Sequence, residues 1–91
     1  MARLHVRIHG RVQGVGFRWF AREEARRLGL SGWVINRPGG EVEVEAGGEA
    51  SSLDRLRRAL EVGPSGAHVD SVEELDQLSD GSLPYPFSIH R

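Results

Sequence analysis

Arg18 ends the stretch Gly10-Arg11-Val12-Gln13-Gly14-Val15-Gly16-Phe17-Arg18, whose residue types suit the binding of an anion. Its glycines let the backbone turn sharply and adopt positive φ where other residues would clash. The stretch follows an alternating run, Leu4 to Ile8, and opens into a helical pattern, so it joins a strand to a helix. Such a loop delivers unpaired N–H groups and the positive end of a helix dipole, which is a seat for phosphate. Arg18 adds a planar, permanently charged fork that matches two phosphate oxygens at once. A turn that only packs a strand on a helix has no use for a guanidinium there. Asn36 is less telling. It precedes Arg37-Pro38-Gly39-Gly40 and, by itself, reads as an asparagine entering a turn.

Other candidates are weaker. His5 and His9 stand four apart on a strand, about 13 Å from one another, too far to share an ion. His68 and His90 have no ligand partners nearby in sequence, so all four histidines are expected as satisfied surface residues. Glu41, Glu43 and Glu45 could suggest a Mg²⁺ cluster, but at alternating outward positions they read as a solvated face. No metal site is therefore expected. There is no G-x-x-x-x-G-K-[ST] phosphate loop, no G-x-S-x-G and no cysteine, so nucleotide P-loop and covalent acyl-transfer chemistries find no support. Trp19 and Trp33 could stack a ligand, although packing against the sheet edge is the expected role.

These residues must be positioned by a small frame. The 91 residues suit one domain, 1–91. A chain of this size buries a little over ~60% of its unfolded surface, enough for one core. No apolar stretch approaches a membrane span and no signal-type apolar region follows Met1, so a cytoplasmic protein with no membrane partner is expected. Net charge is −1, unevenly spread: residues 1–37 carry eight arginines against Glu23 and Glu24, while residues 38–91 carry four against eleven acids. A basic half can serve nucleic acid, which the overall balance does not favour, or can draw a small anion to the first half. Every basic residue is arginine and none is lysine, and nothing functional follows from that.

Periodicity supplies the elements. In residues 3–9, Leu4, Val6 and Ile8 share one face of a strand. Phe17, Phe20, Ala21, Ala25 and Leu28 recur at helical spacing, with Gly29 as a C′ stop. Leu30–Asn36 is a strand interrupted by Gly32. Glu41–Ala46 is another, with Val42, Val44 and Ala46 inward, and the residues between them make a hairpin. Ser51 and Asp54 stand at capping-box spacing before the helix of Leu53, Leu56 and Leu60, which Gly63-Pro64 ends. Ala67–Leu75 is a strand whose apolar parity changes between Val69 and Val72, consistent with a bulge. Gly81–Pro86 is a loop, and Phe87 and Ile89 mark a short closing strand. The order predicts an α+β, ferredoxin-like βαββαβ sandwich, an antiparallel sheet with two helices on one face. That fold hosts many unrelated functions and names none.

Two motifs narrow the choice. Gly10 to Arg18 resembles the signature loop of the acylphosphatase family. Gly32-Trp33-Val34-Ile35-Asn36 with its Pro/Gly turn resembles that family's second motif, a strand carrying a catalytic asparagine. Both stand in the family's order and spacing, and the likeness covers nearly the whole chain. The resemblance implies hydrolysis of small acyl phosphates to carboxylate and inorganic phosphate, with no cofactor, no metal and no covalent intermediate. Backbone N–H groups of Gln13, Gly14, Val15, Gly16, Phe17 and Arg18 would cradle the phosphoryl group. Arg18 would bind it and stabilise developing charge, and Asn36 would orient the attacking water. Arg37 and Gly39 depart from the family's usual apolar residue and Asp, which touches the hairpin tip and substrate preference.

The rival class is a non-catalytic small-anion or regulatory binding module on the same fold. An RNA-recognition domain would need aromatics on its central strands. Glu41-Val42-Glu43-Val44-Glu45 offers none, so no nucleic-acid partner is expected. A monomer is expected.

Overall fold

A computed structural model describes residues 2–76 and 81–91. Strands β1 (Ala2–Arg11), β2 (Ser31–Asn36), β3 (Val42–Gly48), β4 (His68–Glu74) and β5 (Ser88–Ile89) form one sheet in the order β4-β1-β3-β2-β5, and helices α1 (Phe17–Arg27) and α2 (Ala50–Val62) follow β1 and β3. The four long strands are antiparallel, as the alternation predicted, whereas the short β5 joins the edge parallel to β2. Strand β1 runs on through Gly10 and Arg11, so the loop proper begins at Val12.

Both helices cover one face. Val6, Ile8, Val34, Val42, Val44 and Ala46 point from the sheet toward Phe17, Ala21 and Ala25 of α1 and Leu53, Leu56 and Leu60 of α2, and all are buried. Phe87, just before β5, is fully buried in the same core. Burying such a side chain stabilises the fold by about 1.5–3 kcal/mol, so a two-residue strand is held at the edge mainly by its neighbour Phe87. Arg26 reinforces this by donating from Nε to the Phe87 carbonyl at 2.8 Å.

The parity change in β4 has the expected cause. His9 pairs with Ser71 and Gly10 with Val69, leaving Asp70 as an extra residue. That bulge returns Val69 and Val72 to one face, where both pack against the core. The capping box does not form. Helix α2 starts at Ala50 behind an extended Glu49 with no side-chain cap. The Leu53 N–H is taken by the Glu49 carbonyl, which puts Ser51 and Asp54 inside the helix, and Asp54 instead pairs with Arg58 four residues on.

The face away from the helices is not the solvated surface expected for Glu41, Glu43 and Glu45. Glu43 and Glu45 are only 3% and 6% exposed, and His5 6%. Alternation specifies which residues share a face but not what lies over it. Here β1 lays Arg3, His5 and Arg7 against β3, and two described residues beyond β4 bond to the sheet: His5 hydrogen-bonds the Asp76 carbonyl through Nδ1 at 2.9 Å, and Gly32 N–H bonds the Pro84 carbonyl. The remaining histidines do find surface partners. His9 meets Glu73, His68 meets Asp70, and His90 stacks on Trp33.

Candidate functional site

Helix α1 begins without a cap. Its N-cap is Gly16, which has no side chain to accept from the first turn, and that turn holds no acid. The first bond inside the helix is Phe20 N–H to the Gly16 carbonyl at 3.0 Å. The amides of Phe17, Arg18 and Trp19 therefore precede any intrahelical acceptor. Gly14 and Gly16 hold φ of 76° and 77°, and a Cβ at either would meet nothing within 4 Å. Torsion, not space, requires glycine there.

The uncapped turn opens into a cleft of about 200 Å³ lined by Val12, Gly14, Gly16, Phe17, Arg18, Trp19, Asn36, Ile89 and Arg91. Strand β2 brings Asn36 to it from the far side of the central strands. Among the described residues, Arg18 makes no ion pair or side-chain hydrogen bond, unlike Arg7, Arg26, Arg27, Arg37 and Arg57. The Asn36 Oδ1 is buried and also lacks a partner in the chain. A buried acceptor without a donor is unfavourable unless something at the site supplies one. The cleft thus combines uncapped amides, an uncommitted guanidinium and one buried acceptor, a set that can hold an oxyanion and a hydrogen-bond donor side by side.

Of the residues singled out in the sequence, Gly14, Gly16, Phe17, Arg18 and Asn36 line this cleft, and Gln13 and Val15 do not. Val15 packs against the core. Gln13 turns away and donates from Nε2 to the carbonyls of Arg37 and Glu41, at 2.7 and 2.8 Å. It joins the loop to the hairpin that carries Asn36. Trp19 does not pack at the sheet edge as expected; it is 59% exposed and rims the cleft. Ile89 and Arg91 reach the cleft from the other end of the chain, with no local sequence signal. Trp33 does pack on the sheet, edge-on to His5 and stacked with His90.

Behind the hairpin, Glu43 gathers three basic side chains. Arg37 donates from Nε at 2.8 Å, Arg7 at 3.1 Å, and His5 Nε2 lies 2.6 Å away. Burial alone would push the Glu43 carboxyl up; hydrogen bonds from Arg37, His5 and Arg7 outweigh it and bring it down from 4.5 to about 2. The same bond to Glu43 raises the Arg37 guanidinium. Among the described residues no group of three or more His, Asp or Glu is arranged to hold a metal ion.

A larger depression, about 600 Å³, lies at the opposite end of the sheet among Ser31, Gly47, Gly48 and Tyr85. None of the motif residues reaches it, and its Arg3 is engaged with Glu45 and the Gly81 carbonyl. Arg18 and Asn36 both line the smaller cleft. Among the described residues no helix is long and apolar enough to cross a membrane.

Fold and cleft together define a ferredoxin-like α+β protein with a cleft of uncapped amides and an uncommitted guanidinium between its first strand and first helix. Comparison with known proteins places that class more narrowly. The acylphosphatase family matches residues 4–89. An acylphosphatase of Rhizobium etli is 46% identical over 94% of this chain and 90% of its own, and one of Pseudomonas paraeruginosa is 55% identical over 77% of each. The crystal structure of acylphosphatase from Bacillus subtilis superposes with a TM-score of 0.84 at 38% identity, covering all of both chains. The chain belongs to the acylphosphatase family.

Proposed function

We propose that this protein, acting as a monomer, hydrolyses acyl phosphates, R–CO–O–PO₃²⁻, by direct attack of water on phosphorus. Family membership supports the overall reaction, and the cleft supports a division of labour within it. The amides of Gly14, Gly16, Phe17 and Arg18 cradle the phosphoryl oxygens. The Arg18 fork binds the same group and takes up charge as the bridging P–O bond lengthens. Asn36 accepts a hydrogen bond from the attacking water at Oδ1 and aims its oxygen at phosphorus. The new P–O bond forms as the old one breaks; the carboxylate leaves with the electron pair, and the water's proton ends on phosphate. A carboxylate is a good leaving group, so no strong general acid is needed.

The observation that carries this reading is the buried, unpartnered Asn36 Oδ1 in the same cleft as an uncommitted Arg18. The test is phosphate release from benzoyl phosphate in the presence of EDTA. Sustained release is expected. Binding of phosphate without turnover would mark an anion-binding module instead. Loss of release with EDTA and recovery with Mg²⁺ would overturn the mechanism.

A further inference from the structure

We infer that Trp19 and Ile89 form the seat of the acyl group, and that the protein favours acyl phosphates whose R group is planar and apolar. The inference rests on the reading of this cleft as a phosphoryl site. Only three large hydrophobic residues are exposed among the described residues, Trp19, Val62 and Tyr85. Of these, Trp19 alone rims the cleft. An indole usually buries most of its surface, and here it is 59% exposed, so its apolar area is open at the one place where a ligand is expected.

The position follows from the helix start. Successive residues on a helix point about 100° apart, so Arg18 and Trp19 would face different ways in mid-helix. At the first turn the cleft lies off the end of the helix axis, and both side chains can border it. Val12 and Phe17 are each only 1% exposed and form the floor. The accessible apolar wall is left to Trp19 and the half-buried Ile89.

Size settles where R must lie. The cleft holds about 200 Å³, below the roughly 300–1,000 Å³ of pockets that enclose a whole small molecule. A phosphoryl group takes its share, and only a bridging oxygen and the carbonyl carbon separate phosphorus from R. The acyl group therefore emerges at the rim, against whatever stands there. A flat apolar R can lie on the indole; a methyl group covers little of it.

The experiment compares kcat/KM for benzoyl phosphate and acetyl phosphate in the natural protein, Trp19→Ala and Trp19→Phe. Trp19 is exposed and alanine favours helix, so the variant is expected to fold. The benzoyl-to-acetyl ratio should fall about five- to tenfold in Trp19→Ala, the size of one lost aromatic contact, and should largely return in Trp19→Phe. An unchanged ratio, with both substrates still hydrolysed, overturns the acyl seat and leaves the phosphoryl site standing. A natural protein that hydrolyses neither substrate and does not bind inorganic phosphate in a direct binding assay removes both.

Discussion

The side-chain amide of Gln13 lies 2.7 Å from the Arg37 carbonyl, one residue beyond Asn36. Its second hydrogen serves the Glu41 carbonyl at 2.8 Å. Two segments that are far apart in sequence, the β1–α1 loop and the β2–β3 hairpin, thus share one nitrogen. Both carbonyls also receive backbone donors, Gly40 N–H and Arg37 N–H, so the hairpin can close without Gln13. Gln13→Ala should cost about 1–2 kcal/mol of stability, the net value of two hydrogen bonds. It should also lower kcat about tenfold while phosphate affinity stays close to that of the natural protein, because Asn36 drifts and the loop amides remain. Steady-state kinetics with phosphate as inhibitor read the split; a fall in phosphate affinity matching that in kcat would assign Gln13 to the anion site itself.

Arg18 should behave differently. On the proposed mechanism it contacts phosphate in both ground and transition states, so Arg18→Ala should weaken binding and slow turnover together, with kcat/KM down roughly a thousandfold or more. Arg18→Lys should recover little, since an ammonium cannot reproduce the bidentate fork. Lysine activity near that of the natural protein would mean that charge alone suffices.

Asn36→Ala should lower kcat by about 10²-fold, the scale of one positioned hydrogen-bond partner, with KM and phosphate affinity nearly unmoved. Because Oδ1 has no partner in the chain, its loss should barely shift the melting temperature. If Asn36 only shaped the hairpin, the melting temperature would fall and the folded fraction would keep its rate.

Glu43 gives a pH signature. Its carboxyl is depressed from 4.5 to about 2 in the folded protein. A depressed carboxylate stabilises the fold above its unfolded pKa and loses that contribution as pH falls through the folded value. The linkage amounts to about 3 kcal/mol, present at neutral pH and lost between roughly pH 4.5 and 2. Denaturation of Glu43→Gln against pH should therefore show a stability deficit at pH 7 that closes toward pH 2. A deficit that is constant with pH would point to packing instead.

The helices, the hairpin and the β4 bulge were legible because each leaves a local trace: spacing at 3.6, turn residues, a slip in parity. Arg18 and Asn36 were legible because motif and loop chemistry coincide. Glu43 and His5 were misjudged as solvated for a definite reason. Period-two alternation cannot tell a wet face from one over which β1 arginines and the Asp76 carbonyl are laid. The capping box failed similarly, since the Glu49 carbonyl reaches the Leu53 amide first and the side chains at box spacing end up inside the helix. Ile89 in the cleft depends on the parallel docking of β5, a contact across most of the chain that no window can see.

The extra residue in β4 also bears on how molecules meet one another. The outer side of β4 is an open row of backbone donors and acceptors, the kind of border onto which a second chain can add. His68, Asp70, Ser71, Glu73 and Glu74 are exposed along it, and the bulge at Asp70 breaks the register a straight neighbour would need. Deleting Asp70 would restore an even ladder and remove one charge. The damage would then surface as turbidity and fibrils in concentrated samples.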